Sequence, residues 1–283
     1  MFSVIVPNFL IIGAQKAGSS WLANMLSQHP DIFMYPEEIH FFDKDYNWKK
    51  GVDWYTSHFV KVKGEKAIGE KTPDYLWANG QGTEGHLPEV HLNIYSILGN
   101  AKLIAILRNP VDRAISAANH IIRSGRISPL HNLDDLLIGN KRNLLEPHGV
   151  IDYGFYGKQL EAFYEYFNPE KILILIYEEV LLQHPEKGLE KVCKYLEVDH
   201  TFEFTGTART INVGHGSLCS LALKYYLPFG RDYIRIIDKF FKPMKRRPSR
   251  KTIKKLYELY ENENKRLFEM LGREIESWKF KTA

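Results

Sequence analysis

Residues 9–22 read FLIIGAQKAGSSWL, an apolar run followed by a glycine-containing loop and a second, mixed segment. The run at residues 9–12 predicts a buried strand. Apolar side chains then recur at helical spacing from Trp21 to Leu26 and stop before Pro30, which predicts a helix. A strand, a glycine loop and a helix in this order aim backbone N–H groups and the positive helix end at one point. The stretch therefore predicts an anion-binding loop.

The side chains of this loop define what kind of anion site it is. Gly13 and Gly18 allow a tight turn, Lys16 adds a positive charge, and Ser19 and Ser20 add hydroxyl donors. The ATPase loop has the pattern G-x-x-x-x-G-K-[ST], in which the lysine follows the second glycine and the hydroxyl holds magnesium. Here Ser19 takes the place of that lysine, so the loop can bind phosphate without a metal. If this stretch is considered by itself, the alternative to an anion site is an ordinary strand-to-helix turn in which Lys16 faces the solvent.

The rest of the chain alternates strands with helices. Further strands are predicted at residues 67–69, 102–107 and 172–176, and helices at 111–124 and 185–196. The last third looks helical, with Ser249 as a possible N-cap and Gly272 as a stop. Alternation of this kind predicts parallel strands with crossover helices. We predict an α/β, P-loop-like three-layer fold, a central parallel sheet flanked by helices, with a helical C-terminal part, formed as one domain by residues 1–283.

Composition limits the classes of function. The 283 residues are 44% hydrophobic and 25% charged, with a formal charge of +4. This charge is too small to indicate nucleic acid but suits an enzyme with anionic ligands. The two cysteines, Cys193 and Cys219, have no metal-binding spacing, so a disulfide framework is improbable. With no signal peptide and no long apolar run in the sequence, we expect a soluble, cytoplasmic chain.

Four motifs occur in order: GAQKAGSSWL, PEEIHFFD, GEKTPDYL and LRNPVDRAISAANH. Together they resemble the sulfotransferases that use 3′-phosphoadenosine 5′-phosphosulfate (PAPS), in particular the heparan-sulfate type and its bacterial relatives. The resemblance covers roughly residues 9–196, with a weaker similarity as far as Trp278. Each motif is modest alone, but four in order at similar spacing are highly specific.

The resemblance implies a donor site for PAPS. The loop would hold the 5′-phosphosulfate, and Arg108 and Ser116 would hold the 3′-phosphate. A planar guanidinium suits a phosphate dianion, and Ser116 lies about two helical turns beyond Arg108. A surface salt bridge for Arg108 and an idle helical serine for Ser116 are the alternatives. The loop residues implied to contact the donor are Lys16, Ala17, Gly18, Ser19, Ser20 and Trp21.

The resemblance also implies a catalytic set. An acceptor hydroxyl must lose its proton as it attacks sulfur, so a base must lie within hydrogen-bond reach. In the heparan-type enzymes this base is a glutamate two residues before the histidine of HFFD, which here is Glu38, with His40 as helper; the reverse assignment stays open. Lys71 would approach the transferring sulfate or the acceptor, and Lys16 would also stabilise charge on the bridging oxygen. Many bacterial relatives carry a lysine where this chain has Glu37.

Two later segments depart from the family pattern. The heparan-type enzymes close a Lys-Gly-Arg loop over the nucleotide; this chain has TARTINVGHG instead, where Arg209 and Asn212 are the best substitutes. Residues 239–255 hold nine basic residues and no acid. This segment is a solvated positive surface, or it contacts an anionic acceptor, a carrier protein or an acidic membrane surface.

The predicted function is transfer of the sulfuryl group from PAPS to a hydroxyl of a small-molecule or glycan acceptor, either a carbohydrate or a lipid- or polyketide-like alcohol. The products would be a sulfate ester and adenosine 3′,5′-bisphosphate (PAP), with no metal required and no nucleic-acid partner. One alternative is a P-loop kinase or NTPase, which would need a lysine after Gly18 and a magnesium-binding acid. Another is a non-catalytic relative that keeps the nucleotide site. A module of a larger synthase is a third.

Overall fold

A five-stranded parallel sheet forms the centre of the protein. The computed structural model describes residues 5–80, 85–207, 218–226 and 246–280. The strand order is β2-β3-β1-β4-β5, and every pairing is parallel. The strands are β1 (Phe9–Gly13), β2 (Ile32–Met34), β3 (Ala67–Lys71), β4 (Lys102–Leu107) and β5 (Ile172–Ile176). The prediction of an α/β fold with a central parallel sheet is therefore confirmed.

The sheet forms where the sequence is most continuously apolar. All five residues of β1 are buried, as expected for a strand that has a neighbour on each edge in a parallel sheet. β4 and β5 have the bounds expected from the sequence, and β1 and β3 extend one and two residues beyond them. β2 was not predicted, since a three-residue edge strand carries too little pattern to be recognised.

Helices alternate with these strands. They are α1 (Ser19–Leu26), α2 (Asp45–Trp48), α3 (Gly51–Thr56), α4 (Val90–Leu98), α5 (Pro110–Arg123), α6 (Leu133–Leu137), α7 (Tyr156–Tyr164), α8 (Pro185–Leu196), α9 (Leu218–Tyr226) and α10 (Arg250–Leu271). Ser249 caps α10 through a hydrogen bond from Thr252 N, and Gly272 ends it in a left-handed conformation, as expected.

Two apolar clusters make up the core. The larger surrounds the sheet, and the smaller packs α5 and α6 against α10. α10 contributes to both, because Leu267 lies in the first while Leu256 and Tyr260 lie in the second. The hydroxyl of Tyr260 also donates to Ile151 O at 2.8 Å. A single helix thus connects the sheet to the irregular region that follows α5.

The topology gathers chemically useful residues at one edge of the sheet. β3, β1 and β4 are neighbours, and because they are parallel their carboxyl ends lie side by side. Lys71 ends β3, the loop with Lys16 follows β1, and Arg108 follows β4. Ligands of open α/β sheets bind at this edge, near the point where the strand order reverses.

Candidate active site

The loop after β1 is shaped by Gly18. This residue is the N-cap of α1 with φ of 98°, a left-handed conformation that favours glycine. A Cβ there would also overlap Leu181 and approach the Tyr177 ring to 3.3 Å. The first intrahelical hydrogen bond runs from Leu22 N to Gly18 O at 3.1 Å, so the N–H groups ahead of it have no partner within α1. No acidic residue occupies the first turn, which leaves the helix end positive.

The other predicted loop residues divide between the site and the core. Ala17 and Ser19 are buried, whereas Lys16 and Ser20 are half-buried. Trp21 is 8% exposed, and its indole N–H donates to Thr207 O at 3.2 Å, which ties α1 to the segment before residue 208. Arg209 and Asn212, predicted to close over the nucleotide, lie outside the described residues.

Arg108 lies beside the loop. Its Nη1 donates to Lys16 O at 3.1 Å, and its guanidinium lies 4.8 Å from the centre of the Tyr177 ring. Within the described residues its Nε is buried without a hydrogen-bond partner. Ser116, the other predicted phosphate ligand, is half-buried on α5. Arg108 therefore keeps an unused donor, which is the property a phosphate site needs.

The predicted catalytic residues form one hydrogen-bonded group. Lys71 Nζ pairs with Glu38 Oε1 and lies 3.4 Å from the Ser20 hydroxyl. The other Glu38 oxygen lies 3.4 Å from His40 Nε2. Residues 36–40 form no strand, so a loop positions Glu38 and His40. The backbone of His40 is in the left-handed region, with φ of 52°, and in this conformation its side chain approaches that of Glu38.

Asp43 completes this group, and the sequence reasoning missed it. Its carboxylate lies 3.0 and 3.2 Å from His40 Nδ1, and the residue is fully buried. Lys44 Nζ lies 3.7 Å from the same carboxylate. The signal was present in the motif PEEIHFFD, because an acid three residues after a histidine lies within reach of its ring.

Electrostatics fixes the charge of Glu38 and His40. Burial alone would raise the pKa of Glu38, but the hydrogen bond from His40 and the charge and hydrogen bond of Lys71 lower it to about 2. Burial likewise would lower the pKa of His40, yet the hydrogen bonds to Asp43 and Glu38 raise it to about 10. At neutral pH Glu38 is a carboxylate and His40 is an imidazolium, so only Glu38 can accept a proton.

A group of cations surrounds the loop. Burial lowers the pKa of Lys16, and the charges of Arg123 and Arg108 lower it further. Burial and the charges of Lys16, Arg123 and Arg126 also lower the pKa of His120 to about 4, which leaves this ring neutral. The sequence reasoning missed His120 and Arg123, although they follow Ser116 at the helical spacing of four and seven residues.

One set of described side chains has metal-like composition. Single ligand atoms of His40, Asp43 and Asp74 lie within 4.8 Å of one another. Asp43 is already bonded to the His40 ring and faces Lys44, and Gln15 Nε2 donates to Asp74 at 3.3 Å. Because these groups neutralise and hydrogen-bond one another, the cluster works as a polar network rather than as a cation site.

Comparison with known proteins agrees with this geometry. The family model described as "sulfotransferase domain" matches residues 6–213, which include every strand of the sheet. The chain belongs to this sulfotransferase family. The resemblance inferred from the four motifs is thus confirmed.

Two individual sulfotransferases are similar to part of this chain, at identities of 29% and 32%. Human heparan sulfate glucosamine 3-O-sulfotransferase 5 is 29% identical over 196 residues, which are 68% of this chain and 54% of that protein. The membrane-associated sulfotransferase kil1 of Dictyostelium discoideum is 32% identical over 148 residues, 50% of this chain and 29% of that protein. The chain therefore spans about half the length, or less, of these relatives.

A solved sulfotransferase from Alicyclobacillus acidocaldarius shares the fold, with a TM-score of 0.70 at 24% identity over 97% of this chain and 99% of that one. In the part of the chain that the structure describes, no helix is long and apolar enough to cross a membrane.

Proposed function

We propose that this protein transfers the sulfuryl group from PAPS to a hydroxyl of an acceptor and releases PAP. The observation that carries the proposal is the meeting of Lys16, Lys71 and Arg108 after three adjacent strands, with Glu38 paired to Lys71. Cations at such an edge suit a nucleotide that is anionic at both ends.

The donor would be held through its two charged ends. The first-turn N–H groups of α1, with Lys16 and the hydroxyls of Ser19 and Ser20, suit the 5′-phosphosulfate. The unused Nε of Arg108 and the hydroxyl of Ser116 suit the 3′-phosphate. Trp21 and Ala17 would shape the loop. Arg209 and Asn212 remain proposed donor contacts on the basis of the resemblance.

Transfer would follow an in-line path, as in phosphoryl transfer. The acceptor oxygen forms a bond to sulfur while the bond from sulfur to the bridging oxygen breaks, and the electron pair of that bond passes to PAP. Lys16 stabilises the developing charge on the bridging oxygen. Glu38 accepts the hydroxyl proton, and His40 and Lys71 hold its carboxylate in place.

A weak base is sufficient for this step. An acceptor oxygen that has begun to bond to sulfur is far more acidic than a free alcohol. A carboxylate with a pKa of about 2 can therefore take its proton late in the reaction. His40 is already protonated, so we assign it to orient Glu38 and to donate a hydrogen bond.

The acceptor is proposed as a carbohydrate or a lipid- or polyketide-like alcohol. The human relative is a heparan sulfate glucosamine sulfotransferase, which supports the carbohydrate. A membrane surface or carrier protein would contact the basic segment 239–255, of which residues 246–255 are described. The low cysteine content supports a cytoplasmic location.

The kinase or NTPase alternative has less support. It requires a lysine where Ser19 stands, and the acids nearest the site, Glu38 and Asp43, are paired with Lys71 and His40. A non-catalytic binder would have no use for this hydrogen-bonded set of partly buried polar groups, which costs free energy to assemble.

Calorimetric binding of PAP to Lys16→Ala and Arg108→Ala tests the donor site. Each variant removes a charged contact to phosphate, so we expect an affinity loss of about tenfold or more with the fold intact. Lys66→Ala is the matched control, because Lys66 pairs with Asp31 at the opposite, amino end of β3. Wild-type affinity in both site variants would contradict the assignment.

A further inference from the structure

Glu70 is a fully buried carboxyl group that the proposed mechanism does not use. It directly precedes Lys71 in β3. Because side chains alternate along a strand, Glu70 faces the side of the sheet opposite to Lys71. A buried ionisable side chain costs free energy unless it is hydrogen-bonded, so its partners indicate what it does.

Three hydroxyl groups surround the Glu70 carboxyl. Thr72 Oγ1 donates to Glu70 Oε2 at 2.8 Å, and the Tyr75 hydroxyl is also hydrogen-bonded to this carboxyl. The Tyr55 hydroxyl lies 3.5 Å from Oε1. Burial raises the pKa of Glu70 to about 7, although the hydrogen bonds from Thr72 and Tyr75 oppose this increase. Above this pH the group is mainly a carboxylate, which accepts hydrogen bonds and donates none.

Two of these hydroxyls also hold the backbone of the loop that carries His40. The Tyr75 hydroxyl accepts from Phe41 N at 3.0 Å. Thr72 Oγ1 accepts from His40 N at 3.4 Å. A hydroxyl has one hydrogen and two lone pairs, so a hydroxyl that donates to Glu70 keeps its lone pairs for these N–H groups. Glu70 thus fixes the direction in which both hydroxyls point.

These hydrogen bonds act on the peptide groups on both sides of His40, whose φ is 52°. A left-handed conformation costs a residue other than glycine about 1–2 kcal/mol, so the surrounding structure must hold it. Asn47 contributes to this, because its Nδ2 donates to Ile39 O at 3.0 Å and to His40 O at 3.2 Å. With the backbone held in this way, His40 Nε2 lies 3.4 Å from the Glu38 carboxylate.

We propose that Glu70 is a positioning residue for the proposed base, Glu38. It acts through the hydroxyls of Tyr75 and Thr72, which hold the loop backbone. The held backbone keeps the ring of His40 against the Glu38 carboxylate. This inference rests on the proposed function, because it gives Glu70 a part in aligning the group that takes the acceptor proton. Glu70 itself is fully buried and contacts neither donor nor acceptor.

An NMR titration of the His40 ring tests the proposal and needs no acceptor. Against the effect of burial, hydrogen bonds to Asp43 and Glu38 raise the pKa of His40 to about 10, so this pKa reports how closely the groups meet. Glu70→Gln replaces one acceptor oxygen of the carboxyl by an N–H donor. Tyr75→Phe removes one hydroxyl with no change of charge at neutral pH, so a shift in this variant comes from geometry.

Tyr260→Phe is the matched control. It also removes the hydroxyl of a fully buried tyrosine that is hydrogen-bonded to a backbone group, but this tyrosine lies in the smaller core cluster. Urea unfolding and PAP calorimetry on the same proteins measure their stability and their donor site. If Glu70→Gln does not fold, Thr72→Val takes its place, because it removes the other hydroxyl that joins Glu70 to the loop.

We expect both Glu70→Gln and Tyr75→Phe to lower the pKa of His40 from about 10. PAP affinity should be unchanged in every variant, and the Tyr260→Phe protein should titrate like wild type. A lower His40 pKa in only one of the two loop variants, in neither of them, or to the same extent in Tyr260→Phe would overturn the proposal while leaving the donor site standing. Wild-type protein that binds no PAP would instead refute the proposed function and, with it, this inference.

Discussion

At the scale of single residues, the catalytic proposal depends on the charge of Glu38. Lys71 and His40 keep this carboxylate ionised, with the pKa at about 2, although the side chain is partly buried. Its neighbour Glu37 is also exposed, and within the described part of the chain it has no ion pair like the one between Glu38 and Lys71. The two glutamates therefore provide a matched pair for a test.

Glu38→Gln should retain PAP affinity and lose turnover by roughly a hundredfold or more, because the amide keeps the shape but cannot accept the proton. Steady-state rates with any productive acceptor, together with PAP calorimetry, measure both quantities. Glu37→Gln is the control and should behave as wild type. Retained turnover in Glu38→Gln would move the base role to another group.

Asp43→Asn should lower the pKa of His40 from about 10, since it removes the carboxylate that helps to hold the imidazolium. His40 has a raised pKa in the folded state, so its charge stabilises the fold at pH below about 6.5, and this contribution is lost as the pH rises towards 10. The variant should therefore lose stability at neutral pH and differ little from wild type above pH 10.

An NMR titration of the His40 ring, with unfolding measured at several pH values, checks this. Asp45→Asn is the control, because Asp45 pairs with exposed Lys49 and does not contact His40. An unchanged His40 titration in Asp43→Asn would show that Asp43 does not hold the proton.

Sequence reasoning found Glu38, His40 and Lys71 from motif resemblance, but it did not supply their charges. Those depend on Asp43, on Lys71 reaching across from β3, and on how far each group is buried. His120 and Arg123 were missed for a similar reason: their approach to Lys16 depends on the direction in which α5 leaves β4.

At the scale of elements, the strand–loop–helix unit was predictable because every local signal agreed. A continuous apolar run, two glycines and a helical repeat point to the same structure. β2 could not be predicted, since its three residues pair only with β3 and depend on that partner. The irregular stretch between α6 and α7 has no repeating pattern at all, so its 3₁₀ turns at Arg142–Leu144, Glu146–His148 and Asp152–Gly154 follow from tertiary packing.

Gly18→Ala tests whether the loop depends on its backbone conformation. An alanine there incurs the cost of a left-handed residue, about 1–2 kcal/mol, and in addition collides with Leu181. We expect a larger loss of stability than this, together with weaker PAP binding, because the N–H groups of α1 shift.

Urea unfolding and PAP calorimetry measure the two effects. Gly64→Ala is the control: Gly64 also has a positive φ, of 111°, but a Cβ there meets nothing within 4 Å. It should lose only the conformational cost and keep full PAP affinity. Equal losses in the two variants would mean that the close packing at Gly18 is unimportant.

At the scale of the whole molecule, the sheet topology brings separate motifs to one edge. Three adjacent parallel strands end at Lys71, at the loop with Lys16 and before Arg108, while α5 adds Arg123 to the same cleft. Such an arrangement of cations favours a small nucleotide with several negative charges. Formation of a single domain by residues 1–283 remains a prediction, supported by α10 packing into both core clusters.

Binding of PAP and of ATP, each with and without magnesium and measured by calorimetry, tests the central claim most directly. The loop supplies its own lysine and lacks the one that follows the second glycine in ATPases, so we predict tight PAP binding that is independent of magnesium and weak ATP binding. Preference for ATP with magnesium, or no binding of PAP, would contradict the proposed PAPS-dependent transfer.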